Sequence, residues 1–159
     1  MVNLTFINVG TLKEAYLTEA VSEYKKRLSA YAKVEEVSIK EERISNEDDA
    51  AEIRRALEAE GAKILAAVPK GAKRVALCVE GKQYDSPELA AMLSRLGDEC
   101  GKIAFIIGSS HGLSDTVKRE CDVKLSVSRL TFPHQLMRVI LAEAVYRAYT
   151  IIAGKRYHK

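Results

Sequence analysis

A chain of 159 residues can bury a core without disulfide or metal staples and is short enough to form one domain. With 47% apolar and 30% charged residues it has the composition of an ordinary globular protein, which excludes a disordered or low-complexity polypeptide. The net charge of +3 is modest but uneven: from His111 onward nine Lys/Arg face four Asp/Glu (+5), whereas residues 1–110 carry sixteen against eighteen (−2). A basic last third suits a phosphate-rich partner and suits a solvated basic surface equally well.

The first element is the β-branched "VNLTFINV", Val2 to Val9, which reads as a strand. Thr11 and Glu14 are spaced as a capping box for a helix running to about Ala30, with Leu17, Val21, Tyr24 and Leu28 on its apolar stripe. Lys33 to Ile39 is a more polar strand, expected nearer a sheet edge. Ser45 and the acids Glu47, Asp48 and Asp49 predict a helix start, with the helix continuing through Gly61 and stopping at Pro69. "RVALCVEG", Arg74 to Gly81, is apolar enough to be covered on both faces. Ser86 and Pro87 predict the cap and first position of a helix closed by Gly101. Lys102 to Gly108 is a second doubly buried strand. A Ser/Gly loop, a short helix after Ser114, a short strand near Lys124 to Val127 and a long apolar helix after Pro133 complete the chain.

Strict alternation of strand and helix predicts an α/β single domain with a largely parallel sheet flanked by helices. Three isolated cysteines, Cys78, Cys100 and Cys121, indicate buried thiols in a reducing compartment and supply no metal-ligand spacing. "MVNLTFINVG" has no basic n-region and reads as a strand rather than a signal peptide. No run approaches the length of a membrane span, so a cytoplasmic protein is expected.

Ligands in open α/β sheets bind outside the carboxyl ends of the strands. Three such ends are notable here: Leu77 to Gly81, Ile107 to Gly112, and Ser126 to Phe132. "GSSHG" fits a tight turn as well as a ligand loop, and matches no established nucleotide fingerprint. His134, in a first helical turn, is a candidate for chemistry or for a bond to a backbone carbonyl. Arg138 and Arg147 fit solvated positions on a buried helix, and Glu143–Arg147 is a helical i,i+4 pair. No Ser-His-Asp order, metal-ligand spacing or carboxylate pair is present, so neither a hydrolase triad nor a metal is expected.

"FIIGSSHGL", "LSVSRLTFPHQLMRVILAEAVYRAYTI" and the terminal "YHK" together resemble the RlmH family of SPOUT-class rRNA methyltransferases. "INVGTLKEAYLTEAVSEYKKRLSAY" fits that family's opening pattern, so the resemblance spans essentially the whole chain. It implies a C-terminal trefoil knot within about residues 74–159, S-adenosylmethionine as cofactor and a homodimer formed through the last helix. It further implies methylation of N3 of a pseudouridine in helix 69 of the large-subunit (23S) rRNA, on assembled ribosomes.

Position by position, the resemblance assigns the cofactor to Leu77, Gly108, Val127, Ser128, Arg129, Leu130, Thr131 and Phe132. Where the family has a second glycine this chain has Ser109, whose Cβ would crowd the cofactor or alter the turn. Tyr157 and His158, with His134 as second choice, are the candidates for holding the target base and assisting proton loss. The tail is expected to act in the partner subunit's site. Arg138, Arg147, Lys155 and Arg156 are the candidates for rRNA phosphates. Rival readings are a SPOUT enzyme acting on tRNA, a non-enzymatic ribosome-binding protein, and an α/β enzyme using a different nucleotide cofactor.

Overall fold

The computed structural model covers residues 1–159 and shows five strands alternating with five helices. The strands are β1 (Val2–Val9), β2 (Ala32–Ile39), β3 (Lys73–Gln83), β4 (Lys102–Ile107) and β5 (Val123–Ser126). They form one sheet in the order β2-β1-β4-β3-β5, and every pairing is parallel. The helices are α1 (Ala15–Leu28), α2 (Ala50–Ala67), α3 (Ser86–Cys100), α4 (Asp115–Arg119) and α5 (His134–Ile152). The polar strand β2 is at an edge, as its composition predicted.

Side chains alternate across the central strands, so each strand feeds two cores. Leu4, Phe6, Ile103 and Phe105 face α1, α3 and α5, while Ile7, Val9, Ala104 and Ile106 face α2 and α4. Register places Phe6 directly opposite Phe105, and their rings stack with centroids 5.1 Å apart. β3 is longer than the sequence suggested. It shifts register against β5 between Leu77 and Lys82, and Gly81 permits this because a Cβ there would lie 2.7 Å from the Lys124 carbonyl.

Three expected caps are displaced. Thr11 and Glu14 form no capping box: α1 begins at Ala15, and Glu14 makes no side-chain cap bond. The preceding segment is drawn toward α5 instead, where the Lys13 amide donates to Gln135 Oε1 at 3.4 Å. Asp49, not Ser45, caps α2 by accepting from the amides of Ala51 and Glu52. The Ser45 hydroxyl donates to the Glu52 carboxylate at 2.7 Å. In α3 the capping box is Asp85 with Glu88, one residue earlier than Ser86, because a carboxylate accepts the amide bond more strongly than a hydroxyl. Gly101 closes α3 in the left-handed conformation, as expected.

Arg138 corrects the expectation of a phosphate-facing side chain. It is only 4% exposed, and its guanidinium donates to the carbonyls of Val9 at 3.1 Å and Gly10 at 2.6 Å. It therefore ties the first turns of α5 to the end of β1. Burial lowers its pKa, although the arginine stays charged because its ordinary value is so high.

The breadth of apolar surface on α5 has largely an intrachain explanation. The helix lies between α1 and α3, with Leu141, Val145, Ala148 and Tyr149 in the core. Leu136 and Ile152 remain exposed at 38% and 42%. These two are the large apolar side chains of α5 left exposed within one chain.

Gly61 sits in the middle of α2 because α4 crosses there: a Cβ would lie 2.8 Å from Ser114 Oγ and 2.9 Å from a Val117 methyl. Gly61→Ala gains about 1 kcal/mol of helix propensity and loses more to overpacking against α4. Urea unfolding is expected to show a net loss of about 1 kcal/mol, and an unchanged or raised midpoint would place α4 wrongly.

Candidate functional site

At its carboxyl end β4 runs into Gly108, whose α-carbon sits against the Gly112 carbonyl with no room for a Cβ. The loop closes on itself through a Ser109–Gly112 bridge, and the Gly112 amide donates to the Ser109 carbonyl at 2.9 Å. Gly112 takes φ +83°, a conformation that favours glycine. Ser109 is buried but has no positive φ, so its side chain does not strain the turn. Its hydroxyl accepts from the His111 amide at 3.3 Å. Glu60 is itself buried on α2 and accepts the Glu42 amide at 2.8 Å; burial pushes its carboxyl above the usual range.

This loop forms one wall of a cavity of about 800 Å³, a size typical of small-molecule sites. The end of β3, from Leu77 to Glu80, forms a second wall, and the segment from Val127 to Met137 most of a third. Seven of the eight residues assigned to a cofactor on sequence resemblance lie around it: Leu77, Gly108, Val127, Ser128, Leu130, Thr131 and Phe132. Arg129 is exposed and does not line it. Within the third wall the Ser128 hydroxyl accepts from the Leu130 amide at 3.0 Å, and Ser126 donates to the Ser128 carbonyl at 3.1 Å. These local bonds hold an otherwise irregular segment in place.

His134 also lines the cavity, at the first turn of α5. Burial lowers its pKa and keeps it neutral; it has no side-chain hydrogen bond to the protein. Several lining residues were not singled out individually in the sequence, although Cys78, Glu80 and His111 stand within its notable strand ends. Lys118 on α4 reaches Glu80 on β3 at 2.5 Å, and this contact holds the glutamate below the usual carboxylate range. His111 Nε2 meets the Glu47 carboxylate of the β2–α2 loop at 2.7 Å. Cys78 is kept protonated by burial. His111 stood inside a quoted motif, whereas the Lys118–Glu80 pair joins elements 38 positions apart and leaves no local signal.

The tail is ordered rather than frayed. The Lys155 amide donates to the Thr150 carbonyl at 2.8 Å, turning the chain back along α5. Tyr157 donates to Glu143 at 3.1 Å, and its ring meets Tyr146 edge-on with centroids 4.7 Å apart. Burial, then the Glu143 carboxylate, raise the Tyr157 pKa, so the phenol is a donor at neutral pH. Arg147 lies over the same ring, forks onto Glu143 and approaches His158 Nδ1 at 3.4 Å.

Tyr157 and His158 thus dock beside Glu143 to Arg147, while the cavity ends at Met137. Ten helical residues separate Met137 from Arg147, roughly 15 Å along the axis. Within one chain the structure therefore does not bring the tail to the cavity, and His134 is the one sequence-chosen catalytic candidate found there. Arg147 is engaged by Glu143, and Lys155 and Arg156 are exposed.

A family model described as "Predicted SPOUT methyltransferase" matches residues 2–158. Proteins named "Ribosomal RNA large subunit methyltransferase H" match over 158 residues, covering 99% of each chain: 45% identical in Listeria monocytogenes serotype 4b and 43% in Bacillus pumilus. Among solved structures, a probable methylase family protein from Haemophilus influenzae superposes with TM-score 0.58 at 13% identity, over 99% of this chain and 71% of that one. A Legionella pneumophila protein of the methyltransferase class, solved with bound SAM, superposes with TM-score 0.52 at 13% identity, over 95% of this chain and 66% of that one. At such identities the structures speak for the fold alone. The match across residues 2–158 and the end-to-end relatives place this chain in the SPOUT methyltransferase family.

Proposed function

We propose that this chain is an S-adenosylmethionine-dependent methyltransferase of large-subunit rRNA. One observation carries the reading: segments about thirty and twenty residues apart in sequence, assigned to a cofactor on resemblance, converge on a single cavity. The cavity suits the group. Its walls mix aliphatic side chains with the hydroxyls of Ser109, Ser110, Ser128 and Thr131, and Gly108 leaves the main chain bare where a Cβ would meet the Gly112 carbonyl. Leu77, Gly108, Val127, Ser128, Leu130, Thr131 and Phe132 would hold the adenosyl moiety. When bound, the cofactor supplies an electrophilic methyl group.

The finer reading places the methyl on N3 of a pseudouridine in helix 69 of 23S rRNA, on assembled ribosomes in the cytoplasm. It also threads residues 74–159 into the trefoil knot of the family. The protein's own work is then positioning and electrostatics. Tyr157, its proton donated to Glu143, holds the target base through its ring and the free lone pair of its oxygen, and His158 lies beside it. Lys155 and Arg156 meet phosphates. The tail's distance from its own cavity supports a homodimer across α5, with Leu136 and Ile152 in the interface and each tail completing the partner subunit's site. An isologous contact of this kind needs only one self-complementary patch.

Labelled S-adenosylmethionine is expected to mark ribosomes lacking the modification, with free rRNA and bulk tRNA unlabelled and N3-methylpseudouridine identified by mass spectrometry. Label on tRNA would keep the cofactor and move the substrate. No label on any RNA would leave a non-enzymatic binding protein. Gly108→Ala is expected to weaken cofactor binding at least tenfold by calorimetry with the fold intact. Mixed dimers check the tail. A subunit lacking Tyr157 to Lys159, paired with a Gly108→Ala subunit, should retain about half the wild-type activity, because one complete site remains. An inactive mixed dimer would mean that each tail serves its own chain.

A further inference from the structure

Removing the proton from an imide nitrogen requires an acceptor beside the reacting atoms. The cavity offers few. Lys118 and Glu80 neutralise each other at 2.5 Å. Cys78 is held protonated by burial. His134 is neutral but has no hydrogen-bond partner to fix its tautomer. His158 lies on Arg147, at the far end of α5.

His111 differs from all of these. It stands on the β4–α4 loop, in the cavity wall, with its backbone fixed by the Ser109 hydroxyl and by the Gly112 turn. Its Nε2 is 2.7 Å from the Glu47 carboxylate, and Nδ1 has no partner in the protein. A carboxylate accepting from Nε2–H selects the tautomer whose lone pair is on Nδ1, as an orienting acid does in other histidine bases. Glu47 is 68% exposed, so the pair adds little to stability and its effect is on orientation.

We infer that His111, oriented by Glu47, is the catalytic base that accepts the N3 proton of the target nucleotide. The inference rests on the cofactor and substrate reading above. The N3–H bond breaks and its proton passes to His111 Nδ1. The nitrogen electron pair forms the new N–CH3 bond as the S–CH3 bond breaks, which leaves S-adenosylhomocysteine. The proton then passes from the imidazolium to water. Glu47 on the β2–α2 loop contacts the ring, and the other charged and titratable groups that line the cavity are Glu80 and Cys78 on β3, Lys118 on α4 and His134 on α5.

The experiment is single-turnover methyl transfer to unmodified ribosomes across pH 5.5–9 (on the order of the range in which histidine titrates), with S-adenosylmethionine affinity measured by calorimetry beside it. His111→Ala should bind the cofactor within about threefold of wild type and transfer about 100-fold more slowly, within the usual span for general-base removal. Its pH profile should differ from that of the wild type, and its rate should recover in part with added imidazole. Glu47→Gln should transfer about tenfold more slowly and keep the wild-type profile. A His111→Ala protein with the wild-type rate and pH profile would overturn the inference. So would one that loses cofactor affinity in step with rate, since the ring would then be a cofactor contact. A wild-type protein that transfers no label overturns the parent reading first, a result that His111→Ala alone cannot produce.

Discussion

The whole site depends on one close approach, that of Gly108 to the Gly112 carbonyl. It lets β4 reverse within four residues and return to the sheet as α4. Any side chain at Gly108 would push the loop outward, because interiors are packed too densely to absorb a misplaced carbon. The reversal does two things at once. It leaves a bare main-chain wall facing Leu77 and Phe132, and it projects His111 from the tip of the turn toward Glu47. The cavity wall and the placement of His111 are thus set by the same backbone contact.

A second constraint holds the third wall. The segment before α5 has little regular structure, so its position is only as good as that of the helix it joins. Arg138 fixes that helix to the carboxyl end of β1, and Gln135 adds a bond to the Lys13 amide. A buried guanidinium is a strongly desolvated group, and its Nε has no protein partner. Two carbonyl acceptors, the second at 2.6 Å, offset part of that penalty. Its replacement by a neutral residue would leave the carbonyls of Val9 and Gly10 without a donor. The clamp therefore belongs to the architecture of the cavity, even though Arg138 does not line it.

Element order and the parallel sheet were legible because period-two and period-3.6 apolar patterns report local geometry directly. Strand ends were legible as site walls for the same reason: parallel strands all point their carboxyl ends to one side. Caps were less legible. Ser45, Ser86 and Thr11 lay within a few residues of carboxylates able to take over or redirect their bonds, and tertiary contacts decided between them. Arg138 was misread because a polar residue within an apolar helix looks solvated until the opposing backbone is known. The Glu80–Lys118 and Glu47–His111 pairs were invisible in sequence, since each unites residues far apart in the chain. Tail docking was hidden likewise, being built on Glu143, Tyr146 and Arg147 rather than on the tail's own pattern.

The charge asymmetry of the chain also changes meaning in three dimensions. Of the nine basic residues after His111, Lys118 is paired with Glu80, Arg147 with Glu143, and Arg138 is buried on carbonyls. Arg119, Lys124, Arg129, Lys155, Arg156 and Lys159 remain exposed, and half of these lie in the last five residues. Each phosphate contact contributes roughly 0.7–0.9 to the slope of log K against log salt, so a handful of such contacts gives a moderate electrostatic attraction. A basic tail on a compact body can recognise charge, but it cannot by itself read a base sequence. Selectivity must then come from the shape of a folded RNA partner rather than from the charge of the tail.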